Sequence, residues 1–300
     1  MSVAYEEARR WLPDAYNTYK LRLYGFGREI SDLIPNAYRQ DKDSSRLWLM
    51  AVPEVNEWTR NMSRPISPVK GLQGCHLTVW PSHGRYFDNA KKKWRWQRPN
   101  LWCTTEDMFT RSIVVPFLLP MLESAGAVAY CPRERDWHEE ELLGRVVPDS
   151  GRFIPAFPRA GDYAVYVRYL AEENSTSGAM YLVRHGGIDT RIRVNQQMGA
   201  GTWVYLGTFR FDEGESINNS LTLSGRTEDG KVVLASEVRI GGGMGSIERG
   251  GKTSGMPRYL EGSRYYAEYA GFPQHVYDTK DGNNDYADDI NVRSNALNYL

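Results

Sequence analysis

A histidine in a tight turn, and a carboxylate further along the chain, are the first chemistry this sequence offers. The run His76-Leu-Thr-Val-Trp-Pro-Ser-His83-Gly-Arg-Tyr86 reads as an apolar strand that ends in a Pro-Ser-His-Gly turn. Thr105-Glu106-Asp107 reads as the start of the next helix. That order predicts His83 and Glu106 at one rim of a sheet, where α/β folds build their sites. Imidazole and carboxylate are two of the three protein ligands that a catalytic zinc takes, the fourth position being left to water. Such a metal lowers the pKa of its water and polarises a carbonyl, while a nearby carboxylate accepts the proton.

The third ligand is the gap. His76 sits in a strand body, and His138 in the acidic run Asp136-Trp-His-Glu-Glu-Glu141, which reads as solvated. His185 falls among short strands, and His275 follows Pro273 in what reads as a surface loop. None completes the set. The site reads as incomplete, its catalytic residues stay unassigned, and zinc is its cofactor only if a further ligand is supplied.

Next to the turn lie residues suited to a sugar or a carboxylate. Arg85 and Tyr86 follow His83, and the loop Lys91-Lys-Lys-Trp94-Arg-Trp96-Gln-Arg98 interleaves cations with aromatics. These residues can stack on sugar rings and pair with acidic groups. Equally, the tryptophans can tuck under the fold and leave a solvated loop. Arg133, Arg135 and Asp136 can support the site from behind or form a plain surface ion pair. Other motifs are discarded. Gly245–Thr253 has P-loop residues at the wrong spacing, and Lys280 breaks the acidic pattern that an EF-hand needs in Asp278–Asp289.

The elements that must position these groups follow from periodicity. Cys75–Trp80 and Ala127–Tyr130 read as strands on either side of a helix from Glu106 to Ala125, capped by Thr105 and stopped by Gly126. Phe109, Ile113, Phe117 and Met121 recur at i+4 and predict one buried stripe. Pro116 predicts a kink. Strand, long crossover, strand implies a parallel βαβ unit. From residue 150 the pattern changes to six short alternating runs between 162 and 240, the signature of a β-sandwich or jelly roll. After a Gly-rich link, helical sequence resumes around Leu260–Ala270, and an Asn/Asp-rich loop precedes a final short element. Tyr19–Phe26 reads as a strand and Arg60–Pro68 as a loop. The expected fold is an α/β domain with a mostly parallel sheet, interrupted by an all-β, jelly-roll-like sandwich. Its predicted segments are 1–149, 150–245 and 246–300.

The 300 residues carry 37 basic and 37 acidic side chains, so net charge is zero and no strong overall field recommends nucleic acid as a partner. No apolar run is long enough for a membrane span, and the first residues lack the apolar core of a signal peptide. Three cysteines without CxxC spacing form no disulfide framework and read as buried free thiols.

The first block resembles the zinc-dependent N-acetylmuramoyl-L-alanine amidases. The resemblance is carried by Trp80-Pro-Ser-His-Gly84, Glu106 and Cys131-Pro-Arg-Glu-Arg-Asp136, with Ser82 where that family usually has Gly. It looks closest to a Bacteroidetes-type branch often labelled xanthan lyase. Residues 150–245 resemble the golvesin/xanthan-lyase carbohydrate-binding-like domain through Gly161–Arg168, Val194–Met198 and Gly201–Gly207, and Arg258–Tyr266 looks like a resumed amidase segment. The resemblance implies His83 and Glu106 as zinc ligands, peptidoglycan or polysaccharide as partner, and a cell-envelope or secreted location. The family's later His ligand and catalytic Glu have no counterpart before Leu300, so the chain looks cut short at its C-terminus. Three functions follow as expectations: a zinc hydrolase of the cell wall, a carbohydrate-binding module without catalysis, and a polysaccharide lyase.

Overall fold

The computed structural model describes residues 2–41, 43, 57–64 and 71–300. The chain forms two compact units, Met1–Pro53 and Glu54–Leu300. In the first, the helix Ser2–Arg10 ends on Arg9 and Arg10, cations that suit the negative end of its dipole. The predicted strand Tyr19–Phe26 shrinks to Tyr24–Gly25, paired with Arg28–Glu29, because Phe26 and Gly27 both turn through positive φ and close a hairpin there.

The second unit is built around a sandwich of two four-stranded antiparallel sheets. One has the order Leu142–Val146, Ser236–Ile240, Gly161–Arg168, Val204–Phe211; the other has the order Ser220–Ser224, Ala179–His185, Ile188–Val194, Thr59–Asn61. Alternation builds the core: Tyr163, Val165 and Val167 point inward from one sheet to meet Tyr181, Val183, Ile192 and Val194 from the other. Each such side chain contributes about 1.5–3 kcal/mol on burial. The fourth strand of the second sheet comes from far upstream and takes in the first two residues of the segment expected to be a loop, Arg60 and Asn61; that predicted loop lies outside the described residues from residue 65.

The central strand Gly161–Arg168 is buried on both faces. Its outward side chains, Ala164 and Tyr166, pack with Tyr266, Ala267 and Ala270 of the helix Ser263–Ala270 and with Val292 and Ala296 of the helix Asp285–Tyr299. The latter helix was expected as loop and a short element. Asn284 caps it by accepting from the Ala287 amide at 3.1 Å, and Asp285 and Asp288 occupy its first turn, where carboxylates suit the dipole.

The expected α/β domain with a mostly parallel sheet is not what forms. Among the described residues the one parallel ladder is His76–Thr78 with Val128–Tyr130, a two-stranded sheet. Two causes are visible. Residues 85–105 fold into two antiparallel hairpins, Arg85–Asp88 with Lys93–Trp96 and Asn100–Leu101 with Thr104–Thr105, rather than adding parallel strands. Residues 258–300 are helical, as expected around Leu260–Ala270, and add no strand to the ladder.

The crossover helix runs from Glu106 to Ile113, widens into a π turn at Val114–Leu118, and continues to Ser124. Thr105 caps it by accepting from the Met108 amide at 3.3 Å. The π turn falls on Pro116, whose missing N–H and bulky ring cannot continue an α ladder. The expected buried stripe faces outward: Phe109, Ile113, Phe117 and Met121 are 48–69% exposed. The buried face is instead Asp107, Arg111 and Leu119. Arg111 fixes the rotation, donating to the carbonyls of Glu134 at 2.7 Å and Arg135 at 2.8 Å.

Candidate functional site

The His83 turn is held by one carboxylate. Asp107 Oδ1 accepts from Ser82 Oγ at 3.2 Å, from the His83 amide at 2.9 Å and from the Gly84 amide at 3.0 Å. Ser82 stands at φ 72°, a left-handed conformation that favours glycine, and its hydroxyl bond to Asp107 helps to hold it there. Gly84 has φ 110°, and a Cβ there would lie 2.7 Å from Arg133 Nη2 and 2.8 Å from the Glu261 carbonyl. Behind the turn Arg133 is fully buried and donates to the carbonyls of Pro81, Ser82, Tyr259 and Glu261. It braces the turn and leaves no guanidinium nitrogen pointed at a substrate.

The imidazole lies in cationic surroundings. Trp80 packs edge-on against it, 4.4 Å between centroids. Arg293, from the final helix, donates to Nδ1 at 3.1 Å, pairs with Asp289 at 3.0 Å and stacks 3.2 Å above the Trp80 ring. Burial, and then the charges of Arg293, Arg98 and Arg133, push the His83 pKa down to about 4 against the weaker pull of Asp107, so the ring is neutral at pH 7. Burial likewise lowers Arg293 and raises Asp289. On the far side of Gly84, burial pushes Glu261 up to about 7, opposed by a hydrogen bond from Ser254 and by Arg258, Arg133 and Arg85.

These donors do not fit zinc. Nδ1 already faces a guanidinium, three cations act on the ring, and Asp107 Oδ1 is committed to three hydrogen bonds. Glu106, expected as the second ligand, is exposed; its neighbour Asp107 is the carboxylate that meets the turn. Among the described residues no cluster of three His, Cys, Asp or Glu side chains is arranged to hold a metal ion.

The remaining predicted residues divide. The Arg85 guanidinium lies 5.5 Å from the Trp96 ring and donates weakly to the Trp94 carbonyl, so these two flank one another on the first hairpin. Tyr86 meets Tyr286 edge-on at 5.5 Å. Trp94 tucks inward: its indole N–H donates to the Lys252 carbonyl at 3.2 Å and its ring packs on Phe87 and Tyr265. Arg135 belongs elsewhere. It pairs with Glu123 at 2.6 Å and lies 3.9 Å over the Tyr205 ring.

Between the crossover helix and the outer face of the sandwich runs a cleft of about 580 Å³. Trp137, Trp203 and Tyr205 give it aromatic walls, and Arg135, Glu123 and Asp162 put charge among them. Trp137 is 58% exposed. Within the run expected to be solvated, Glu139 is exposed but Asp136 and His138 are core: His138 is stacked between Trp137 and Tyr163, with its Nδ1 2.7 Å from Asp136 Oδ1. Beside it, Glu134 and Arg239 form a completely buried ion pair at 2.6 Å, and Tyr166 donates to Glu134 at 2.5 Å.

Sequence reasoning missed Asp107, Asp289, Arg293 and the cleft aromatics. Asp107 had a signal, since it is the second carboxylate of the helix start. Arg293 had a weaker one, since Asn284, Asp285 and Asp288 form a cap and acidic first turn.

Residues 140–242 match the family model described as the Golvesin C-terminal domain. A xanthan lyase from Bacillus sp. (strain GL1) is 37% identical over 65 residues, which are 22% of this chain and 7% of that protein. The structure of a Paenibacillus xanthan lyase at 2.6 Å resolution is 22% identical to this chain, over 34% of this chain and 13% of that one, with a TM-score of 0.29. The chain thus carries a golvesin/xanthan-lyase-like domain over the sandwich, and spans a small fraction of the curated relative's length. These matches lend nothing to the resemblance to zinc amidases.

Proposed function

We propose that the protein binds polysaccharide, in the cleft between the crossover helix and the sandwich. The observation that carries this reading is the aromatic lining of that cleft: Trp203 and Tyr205 lie within the segment that matches the golvesin family, and Trp137 just before it. Trp and Tyr rings offer flat apolar faces for sugar C–H groups, while Arg135, Glu123 and Asp162 offer partners for hydroxyls. A volume of about 580 Å³ lies within the range of small-ligand sites and suits a short stretch of glycan. The xanthan lyase similarity supports a polysaccharide partner, and the same reading puts the protein's work at the cell envelope or outside the cell.

The test is binding of the full chain to xanthan, to a neutral polysaccharide and to peptidoglycan, followed by affinity electrophoresis. Binding to a polysaccharide, weakened tenfold or more by Trp137→Ala, is the expected result. A protein that retains none of them, or a Trp137→Ala variant that binds unchanged, refutes the cleft. Unsaturated uronate absorbance, or chelator-sensitive release of stem peptide, would replace the binding reading with a catalytic one.

A further inference from the structure

The polar groups around the His83 turn are out of balance. Of the guanidiniums acting on His83, Arg293 has Asp289 and Arg133 has four carbonyls. Arg98 has neither: among the described residues no carboxylate pairs with it, and its Nε is buried without an acceptor. Arg98 and Arg293 act on one another as like charges, so the fold holds two cations together at the cost of mutual repulsion. Three more buried donors in the neighbourhood lack acceptors: Trp80 Nε1, Arg293 Nε and Gln97 Nε2, Gln97 being tied to the turn because its backbone N–H donates to the Gly84 carbonyl. A buried donor without a partner costs about 1–3 kcal/mol, and native folds pair nearly all such groups. Donors in excess, with uncompensated positive charge, are what an anion would satisfy. With Arg85 Nε the unpartnered donors among the described residues here are five, against three buried acceptors without donors, Asp107 Oδ2, Gln97 Oε1 and Glu261 Oε1.

We infer that the cationic group of His83, Arg98 and Arg293 binds the carboxylate of an acidic sugar, with the carboxylate between the two guanidiniums and the sugar ring against the aromatic hairpin. Guanidiniums match carboxylate oxygens in planar, bidentate fashion. The ring is placed by Trp96, half-buried and next to Arg85. A sugar hydroxyl supplies the proton that Asp107 Oδ2 lacks. None of these residues lines the cleft, so this is a second site. The sugar part of the inference rests on the glycan reading above; the anion part does not.

The experiment titrates the full chain with sodium glucuronate, with glucose and with inorganic phosphate, following the His83 ring signals by NMR. Saturable shifts with glucuronate, absent with glucose at equal concentration and weakened tenfold or more in Arg98→Ala, are the expected result. Arg98→Lys should recover part of that loss, because a point charge replaces a fork. Glucuronate and glucose acting alike, or Arg98→Ala leaving the affinity unchanged, overturns the site. Phosphate binding in preference to glucuronate overturns the acidic-sugar assignment. The Trp137→Ala variant separates the two proposals: loss of polysaccharide with glucuronate shifts intact breaks only the cleft, and the reverse pattern in Arg98→Ala breaks only the anion site.

Discussion

Two polar regions of the second unit, close in sequence, treat their buried cations differently. Around Glu134 the buried cation has an anion and a wall of rings. Arg239 pairs with Glu134 through Nη1 and lies over Tyr166, Trp203 and Tyr269, its Nε and Nη2 having no acceptor among the described residues. Tyr166 donates to Glu134, and Asp136 takes the His138 ring, the His138 amide and the Ala164 amide. Around His83 the donors outnumber the acceptors. The first region joins the sandwich to the helices, and aromatic rings cover its guanidinium. The second lies at a turn held by a single carboxylate and has unused capacity. A buried ion pair walled by aromatic rings is a structural device, whereas a cation with no anion, among surplus donors at a turn, has capacity for a ligand.

The largest expected effect breaks the first region. Glu134→Ala leaves the Arg239 guanidinium buried and unpaired, and should destabilise the protein by about 3–5 kcal/mol in a urea unfolding series. The double variant Glu134→Leu with Arg239→Met removes both charges and should recover much of that loss; a double variant as unstable as the single one would show that the pair is not acting through charge.

A smaller effect belongs to the turn. Asp107→Ala strands the Ser82 hydroxyl and two amides, and should cost about 2–3 kcal/mol, since hydrogen bonds to a charged acceptor are each worth about 1.5–3 kcal/mol and water can replace some. Slowed hydrogen exchange retained at the His83 and Gly84 amides in this variant would refute the role given to Asp107.

The smallest effect is on proton binding. The His83 pKa falls from 6.5 to about 4, so its neutral form is favoured in the fold. Its contribution to stability is full above 6.5 and is lost as pH falls through about 4. Glu261 runs the other way: raised from 4.5 to about 7, it contributes fully below 4.5 and loses that contribution as pH rises through about 7. The NMR titration of His83 should therefore show a midpoint near 4, and Arg98→Ala should move it upward. A midpoint at the ordinary 6.5 would remove the cationic surroundings from the comparison.

The sandwich was legible because its strands alternate with period two between turn residues, and alternation needs no distant information. The turn at His83 and the capped helix at Thr105 were legible for the same local reason. The partners of His83 were not. Arg293 lies 210 positions away, on a helix whose Asn- and Asp-rich start reads equally as loop, and only the packing of Val292 and Ala296 on the sandwich face settles it. The parallel sheet was expected from one strand–helix–strand unit, which does form, but nothing in that unit specified further strands. The outward stripe of Phe109, Ile113, Phe117 and Met121 misled because periodicity reports an apolar face without reporting what covers it. Here Asp107 and Arg111 set the helix's rotation instead.

The strand Thr59–Asn61 has a practical corollary for anyone excising the golvesin-like segment. Cut at residues 140–242, that piece would lose the ribbon lying along Ile192–Val194, and a row of amides and carbonyls would stand open to any passing chain. A fragment trimmed to the family boundary should clump, and one that keeps the upstream ribbon should stay dispersed.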